Sequence, residues 1–181
     1  MQGERIRCAE DWWVGVIPDM SDRPIKYVEI GVFCGHNLCS VGKTFARHPE
    51  SKLYAIDPWA DYEGYNEKYT QDQNYKYYRN NIRVSGIEQK VIECRGLSEN
   101  IMPSFADEFF DIVYIDGSHL YDYVVRDCEL AVKKVKKGGY IIVDDTNHPP
   151  IVAACDLIFN KPENKVTTVA VKDAQRYYRK D

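Results

Sequence analysis

Four ionisable side chains follow two short apolar runs. Ile112 to Ile115 leads into Asp116-Gly117-Ser118-His119, and Tyr140 to Val143 leads into Asp144-Asp145. Carboxylates and an imidazole can exchange protons near neutrality and hold polar ligands. They can also be solvated loop groups that cap helices. The choice depends on whether the intervening chain brings them together.

The residues between the two runs have a helical period. Tyr121, Val124, Val125, Cys128, Ala131, Val132 and Val135 recur at three- and four-residue steps. Ser118 or His119 stands where a cap belongs, lysines 133, 134, 136 and 137 crowd the last turn, and Gly138-Gly139 is expected to stop the helix. A strand–helix–strand unit of this kind packs as a right-handed parallel crossover. Both strands then end on one sheet edge, where ligands of open parallel sheets bind. Asp116, His119, Asp144 and Asp145 are therefore expected to converge on a ligand mouth.

A second constellation lies nearer the start. Tyr27 to Phe33 reads as a strand running into Gly31-x-x-x-Gly35 and a helix over His36 to His48. Such a turn lets a ligand approach backbone at a helix N-terminus. The strand Leu53 to Ile56 ends on Asp57, 22 residues beyond Gly35 and suited to a ribose diol. The turn lacks the middle glycine of a dinucleotide fingerprint. Gly42-Lys43-Thr44 lacks the glycine at 37 that a phosphate loop needs, since Asn37 stands there. Trp59 and six tyrosines (62, 65, 69, 75, 77, 78) follow. They could stack on a sugar or adenine, or line an ordinary helix over roughly Glu67 to Val84.

The remaining elements complete a sheet. Lys90 to Cys94 is a strand that leads to Gly96-Leu97-Ser98, with Ser98 at the same edge. Pro150 to Asn160 is a helix, and Val166 to Val171 with Arg176 to Arg179 makes an antiparallel hairpin. Seven strands in an α/β, doubly wound, mostly parallel sheet are expected over residues 27–181, after an arm or short helix over 1–26. In that arm Trp12-Trp13 could cover a ligand, pack on the sheet's flank or form a subunit contact, which makes a homodimer reasonable.

The chain has 181 residues, enough for one domain with a real core. A net charge of −4 argues against a nucleic-acid-binding surface. No apolar run reaches membrane-span length and no signal-peptide core opens the chain, so no membrane association is expected. Six scattered cysteines (8, 34, 39, 94, 128, 155) without a CxxC pair suit reduced thiols and a cytoplasmic location.

This order of elements resembles the class I S-adenosylmethionine-dependent methyltransferases. Their first motif is matched by Glu29-Ile30-Gly31-Val32-Phe33-Cys34-Gly35, their ribose-binding acid by Asp57 and their fourth-strand acid by Asp116. Within that superfamily, IDGSHLYDYVVRD followed by GGYIIVDD is similar to the macrocin- and mycinamicin-type sugar O-methyltransferases and their cephalosporin-hydroxylase-like relatives. The resemblance implies a Rossmann-like fold and O-methylation of a sugar or other small hydroxylated acceptor, with S-adenosylmethionine as donor. It implies donor contacts from Glu29, Gly31, Gly35, His36, Asp57, Trp59 and Ser98. Asp116, Asp144 and Asp145 would hold Mg2+ or another hard divalent cation. His119, with Asp116, would form the catalytic group, His119 as general base. A nicotinamide-dependent oxidoreductase, a metal-free methyltransferase and a non-catalytic scaffold are the alternatives on this topology.

Overall fold

A computed structural model describes residues 1–3, 8–60 and 70–181. The chain runs α1 (Ala9–Trp12), β1 (Lys26–Ile30), α2 (His36–Lys43), β2 (Lys52–Asp57), α3 (Gln71–Ser85), β3 (Val91–Arg95), α4 (Ser98–Ile101), β4 (Phe110–Ile115), α5 (Tyr121–Lys134), β5 (Val135–Val143), α6 (Pro149–Phe159), β6 (Val166–Lys172) and β7 (Gln175–Lys180). Seven strands form one sheet in the order β3-β2-β1-β4-β5-β7-β6. The first five pair in parallel, and β7 runs antiparallel between β5 and β6. Winding reverses between β1 and β4, the place where such sheets open a crevice.

Period-two alternation sends each strand's residues to two cores. Tyr27, Ile112 and Tyr114 join Trp13, Leu38, Phe45 and Leu53 on one face. Val28, Ile30, Val113 and Ile115 join Cys128, Ala131, Ile141 and Ile158 on the other. Helices cover both faces, so every residue of β4 is buried.

Several boundaries differ from the sequence expectation. β1 stops at Ile30, because Gly31 turns into the left-handed region at φ +84. α2 ends at Lys43, well short of His48. α5 is capped by the backbone of Leu120, while Ser118 Oγ accepts the Leu120 N–H at 3.2 Å instead of capping the helix. Gly138-Gly139 does not end that helix. The pair lies within β5, where the register against β4 jumps from Phe110↔Val135 to Ile112↔Tyr140. Gly138 has φ +76, and a Cβ on Gly139 would stand 2.8 Å from the Asp111 carbonyl oxygen. A strand irregularity of this kind favours residues without a Cβ.

α3 begins at Gln71, with Thr70 accepting the Gln73 N–H at 3.2 Å. The expected start at Glu67, and Tyr62, Tyr65 and Tyr69, lie outside the described residues. Trp13 is fully buried, its ring 5.5 Å from those of Phe45 and Tyr114. It is a core residue, which corrects the ligand-cover and subunit-contact readings for Trp13, while Trp12 is half-buried against the same core. No described helix is long and apolar enough to cross a membrane. All six cysteines are thiols, five of them buried.

Candidate active site

The ends of β2, β1, β4 and β5 are tied together by backbone. Gly31 N–H donates to the Ile56 carbonyl, Asp116 N–H to Ile30 and Asp144 N–H to Ile115, each at 2.9 Å. A Cβ on Gly31 would stand 2.0 Å from the Asp116 carbonyl oxygen, so only glycine fits where the two halves of the sheet meet.

Beyond Gly31 the chain turns, and Gly35 N–H closes the turn on the Val32 carbonyl at 2.7 Å. Gly35 is left-handed (φ +74), with Tyr78 filling the space a Cβ would take. The Asp57 carboxylate grips this loop. Oδ2 accepts the Val32 and Phe33 N–H groups at 2.9 Å, and Oδ1 accepts the Trp59 N–H at 2.7 Å. Burial pushes the Asp57 carboxyl up, and those three donors oppose the shift. The buried Trp59 indole donates to the Phe33 carbonyl at 2.9 Å and lies against Tyr78.

The other expected donor-side residues are less directly placed. Glu29 is buried below the loop, its Oε2 accepting from Tyr27 Oη at 2.5 Å and Asn37 Nδ2 at 3.1 Å. Burial pushes its carboxyl up to about 8. His36 lies against Gly3, and its buried Nδ1 has no partner among the described residues. Burial lowers its pKa, which favours the neutral ring. Ser98 donates to Asp127 Oδ1 at 2.5 Å, so its hydroxyl is committed to α5. Burial raises Asp127 to about 6.

The second constellation does converge. Asp116, His119, Asp144 and Asp145 line one depression, walled by Ile115, Val124, Val143 and Ile151. His119 Nε2 stands 2.9 Å from Asp145 Oδ2, and the His119 ring stacks on His148 with centroids 5.1 Å apart. Asp145 takes φ +54, and its N–H returns to Asp144 Oδ1 at 2.8 Å. The other Asp144 oxygen, Oδ2, accepts from the Tyr114 hydroxyl. Burial first, then the charges of Asp144, Asp145 and Glu29, push Asp116 well above the carboxylate range. Asp144 rises as well, through burial and the neighbouring Asp145, with the Tyr114 bond opposing.

A profile of a methyltransferase domain matches residues 28–146, from β1 to just past Asp145. The chain belongs to that methyltransferase-domain family. Uncharacterized protein R132 of Acanthamoeba polyphaga mimivirus is 32% identical over 123 residues, 67% of this chain and 51% of that protein. Catechol O-methyltransferase B of Danio rerio is 24% identical over 148 residues, 78% of this chain and 50% of that protein. The chain thus spans about half the length of the curated relatives it matches. Among solved structures, the O-methyltransferase from Bacillus cereus in complex with SAH superposes with a TM-score of 0.64 at 18% identity, covering 86% of this chain and 74% of that one. That likeness is one of fold: the sheet is the methyltransferase sheet.

In this methyltransferase-family chain the acid mouth has the donor chemistry of a hard-cation site. Its three carboxylates carry oxygen donors, the kind a hard cation takes. Their present partners include Tyr114, Gln175, His119 and backbone, and among the described residues no three His, Cys, Asp or Glu side chains are gathered closely enough to hold an ion. Sequence reasoning missed Tyr114, Gln175, Tyr177, Asp127 and His148. Tyr114, Tyr177 and Asp127 lie within an expected strand or helix, Gln175 falls in the expected hairpin turn, and His148 precedes a proline, so each reads as structural. The one available signal was Tyr114, which stands two residues before Asp116, near the end of the same apolar run.

Proposed function

We propose that the protein transfers a methyl group from S-adenosylmethionine to a hydroxyl of a small molecule. The carrying observation is the junction at Gly31, where the loop gripped by Asp57 abuts the strand end bearing Asp116. Donor loop and acid-bearing strand end thereby adjoin where the sheet's winding reverses. The methyltransferase family match, the S-adenosylhomocysteine-bound neighbour and the catechol O-methyltransferase relative support the reading.

Gly31 and Gly35 admit the donor to the backbone, Asp57 and Trp59 flank its ribose and adenine side, and Glu29, His36 and Ser98 complete that side. The donor's S–CH3 bond breaks as the O–CH3 bond forms, leaving a neutral thioether. The acceptor's proton goes to His119. With Nε2–H directed at Asp145 Oδ2, the lone pair of the neutral ring is on Nδ1, and that atom is the base. Asp116, Asp144 and Asp145 would hold Mg2+. Such a cation lowers the pKa of a bound hydroxyl and orients a diol. The acceptor is a hydroxylated small molecule such as a sugar. Thiol cysteines support a reducing, cytoplasmic setting, and a homodimer would need a surface other than Trp13.

Calorimetric titration of S-adenosylhomocysteine, with and without magnesium, tests the proposal. Micromolar binding is expected. Asp57→Ala should weaken it about tenfold or more, since each charge-assisted bond contributes roughly 1.5–3 kcal/mol. Absence of binding under both conditions overturns the reading.

A further inference from the structure

We propose that Tyr114, Gln175 and Tyr177 form a directed hydrogen-bond chain that positions the Asp144 carboxylate, making the C-terminal strand β7 part of the acid mouth. Tyr177 Oη donates to Gln175 Oε1 at 2.6 Å, Gln175 Nε2 donates to Tyr114 Oη at 3.3 Å, and Tyr114 Oη donates to Asp144 Oδ2. Tyr177, Gln175 and Tyr114 are 0%, 1% and 2% exposed, so water does not compete for these bonds. Each link passes its proton in the same sense, toward the carboxylate, and aligned bonds polarise one another.

The chemistry selects these side chains. The Tyr114 phenol carries a single proton, and the Asp144 carboxylate, an acceptor only, receives it. Because its single proton goes to Asp144, its oxygen must receive one, which fixes the Gln175 amide with nitrogen toward Tyr114 and oxygen toward Tyr177. The glutamine amide is both donor and acceptor there at neutral charge. Tyr114 bonds Oδ2 and the Asp145 N–H bonds Oδ1, so the Asp144 carboxylate is held at both oxygens. A second tether runs in parallel: the Thr146 N–H donates to the Ala174 carbonyl of the β6–β7 turn at 2.8 Å. The hairpin therefore holds the segment after β5 from both sides.

Part of the test rests on Asp144 as a cation ligand, so two measurements are paired. The first is Mn2+ titration followed by electron paramagnetic resonance on the wild type, Tyr114→Phe and Gln175→Met. Both variants should bind Mn2+ about 10- to 100-fold more weakly, the usual effect of removing a group that orients a metal ligand. Unchanged affinity in variants that keep the wild-type circular dichroism overturns the proposal. If one variant fails to fold, the other decides. The second is proton NMR of the metal-free protein. A slowly exchanging, downfield tyrosine hydroxyl resonance is expected, lost in Tyr114→Phe and shifted in Gln175→Met. Its absence, or indifference to Gln175→Met, overturns the chain whether or not Mn2+ binds. A wild type that shows this resonance but takes no Mn2+ keeps the chain and sinks only the metal reading.

Discussion

Glu29 is an acid whose partners, Tyr27 and Asn37, carry no charge. Two neutral hydrogen bonds do not offset complete desolvation, which is why its carboxyl rises from 4.5 to about 8. The folded chain therefore keeps this proton over a range in which the unfolded chain has lost it. Its contribution to stability is full below the unfolded value and is lost as pH rises toward about 8, with a ceiling of roughly 3–5 kcal/mol. Glu29→Gln retains an oxygen that accepts both bonds and has no proton to lose. Urea melts from about pH 5 to pH 9 should show wild-type stability falling relative to the variant, and parallel profiles would mean Glu29 is charged when folded. The acid itself was legible in the sequence from its place before the glycine turn. Its neutral partners were not, because Asn37 reaches it only once α2 lies on β1.

At the scale of elements, the glycine turn is held by contact between chain segments far apart in sequence. Gly31 combines φ +84 with a carbonyl oxygen 2.0 Å from any Cβ, whereas Gly86, the left-handed cap of α3, has open space around it. Gly31→Ala should therefore cost about 3 kcal/mol or more, through overpacking as well as backbone strain. Gly86→Ala should cost only about 1 kcal/mol, from strain alone. Chemical denaturation separates the two, and equal losses would mean the strand ends can spread apart. The turn at Gly31 is legible in the sequence, because a strand pattern gives way there to a helical one. The role of Gly138-Gly139 is not: a pair after a lysine-rich helix reads as a stop signal, and only the register of β5 against β4 shows that it serves a strand irregularity.

For the whole molecule, the sheet is closed on one face by the N-terminal segment. Trp13, on the turn that ends α1, packs between Tyr27, Phe45 and Tyr114, so residues of β1, the post-α2 turn and β4 share one side chain. Trp13→Ala should lower stability by roughly 3–5 kcal/mol, the usual cost of emptying so large a buried site. A melting temperature within a few degrees of the wild type would show that the segment is not integral to the core. Trp13 also packs on Tyr114, so the same substitution loosens the ring whose hydroxyl holds Asp144.

The sequence by itself determined what periodicity and punctuation can carry: the strand–turn–helix order, the two acid-bearing strand ends, the glycine turn with its acid at Asp57, and the terminal hairpin. Those signals are local, since side-chain direction repeats every two or 3.6 residues whatever the distant chain does. Only the tertiary structure decided which acids touch which partners. Asp57 is clasped to the loop by three N–H groups, Ser98 is turned to Asp127, and Asp144 is joined to a C-terminal strand by Tyr114 and Gln175. Such pairings join residues up to 61 positions apart, and no local pattern encodes a partner that distant.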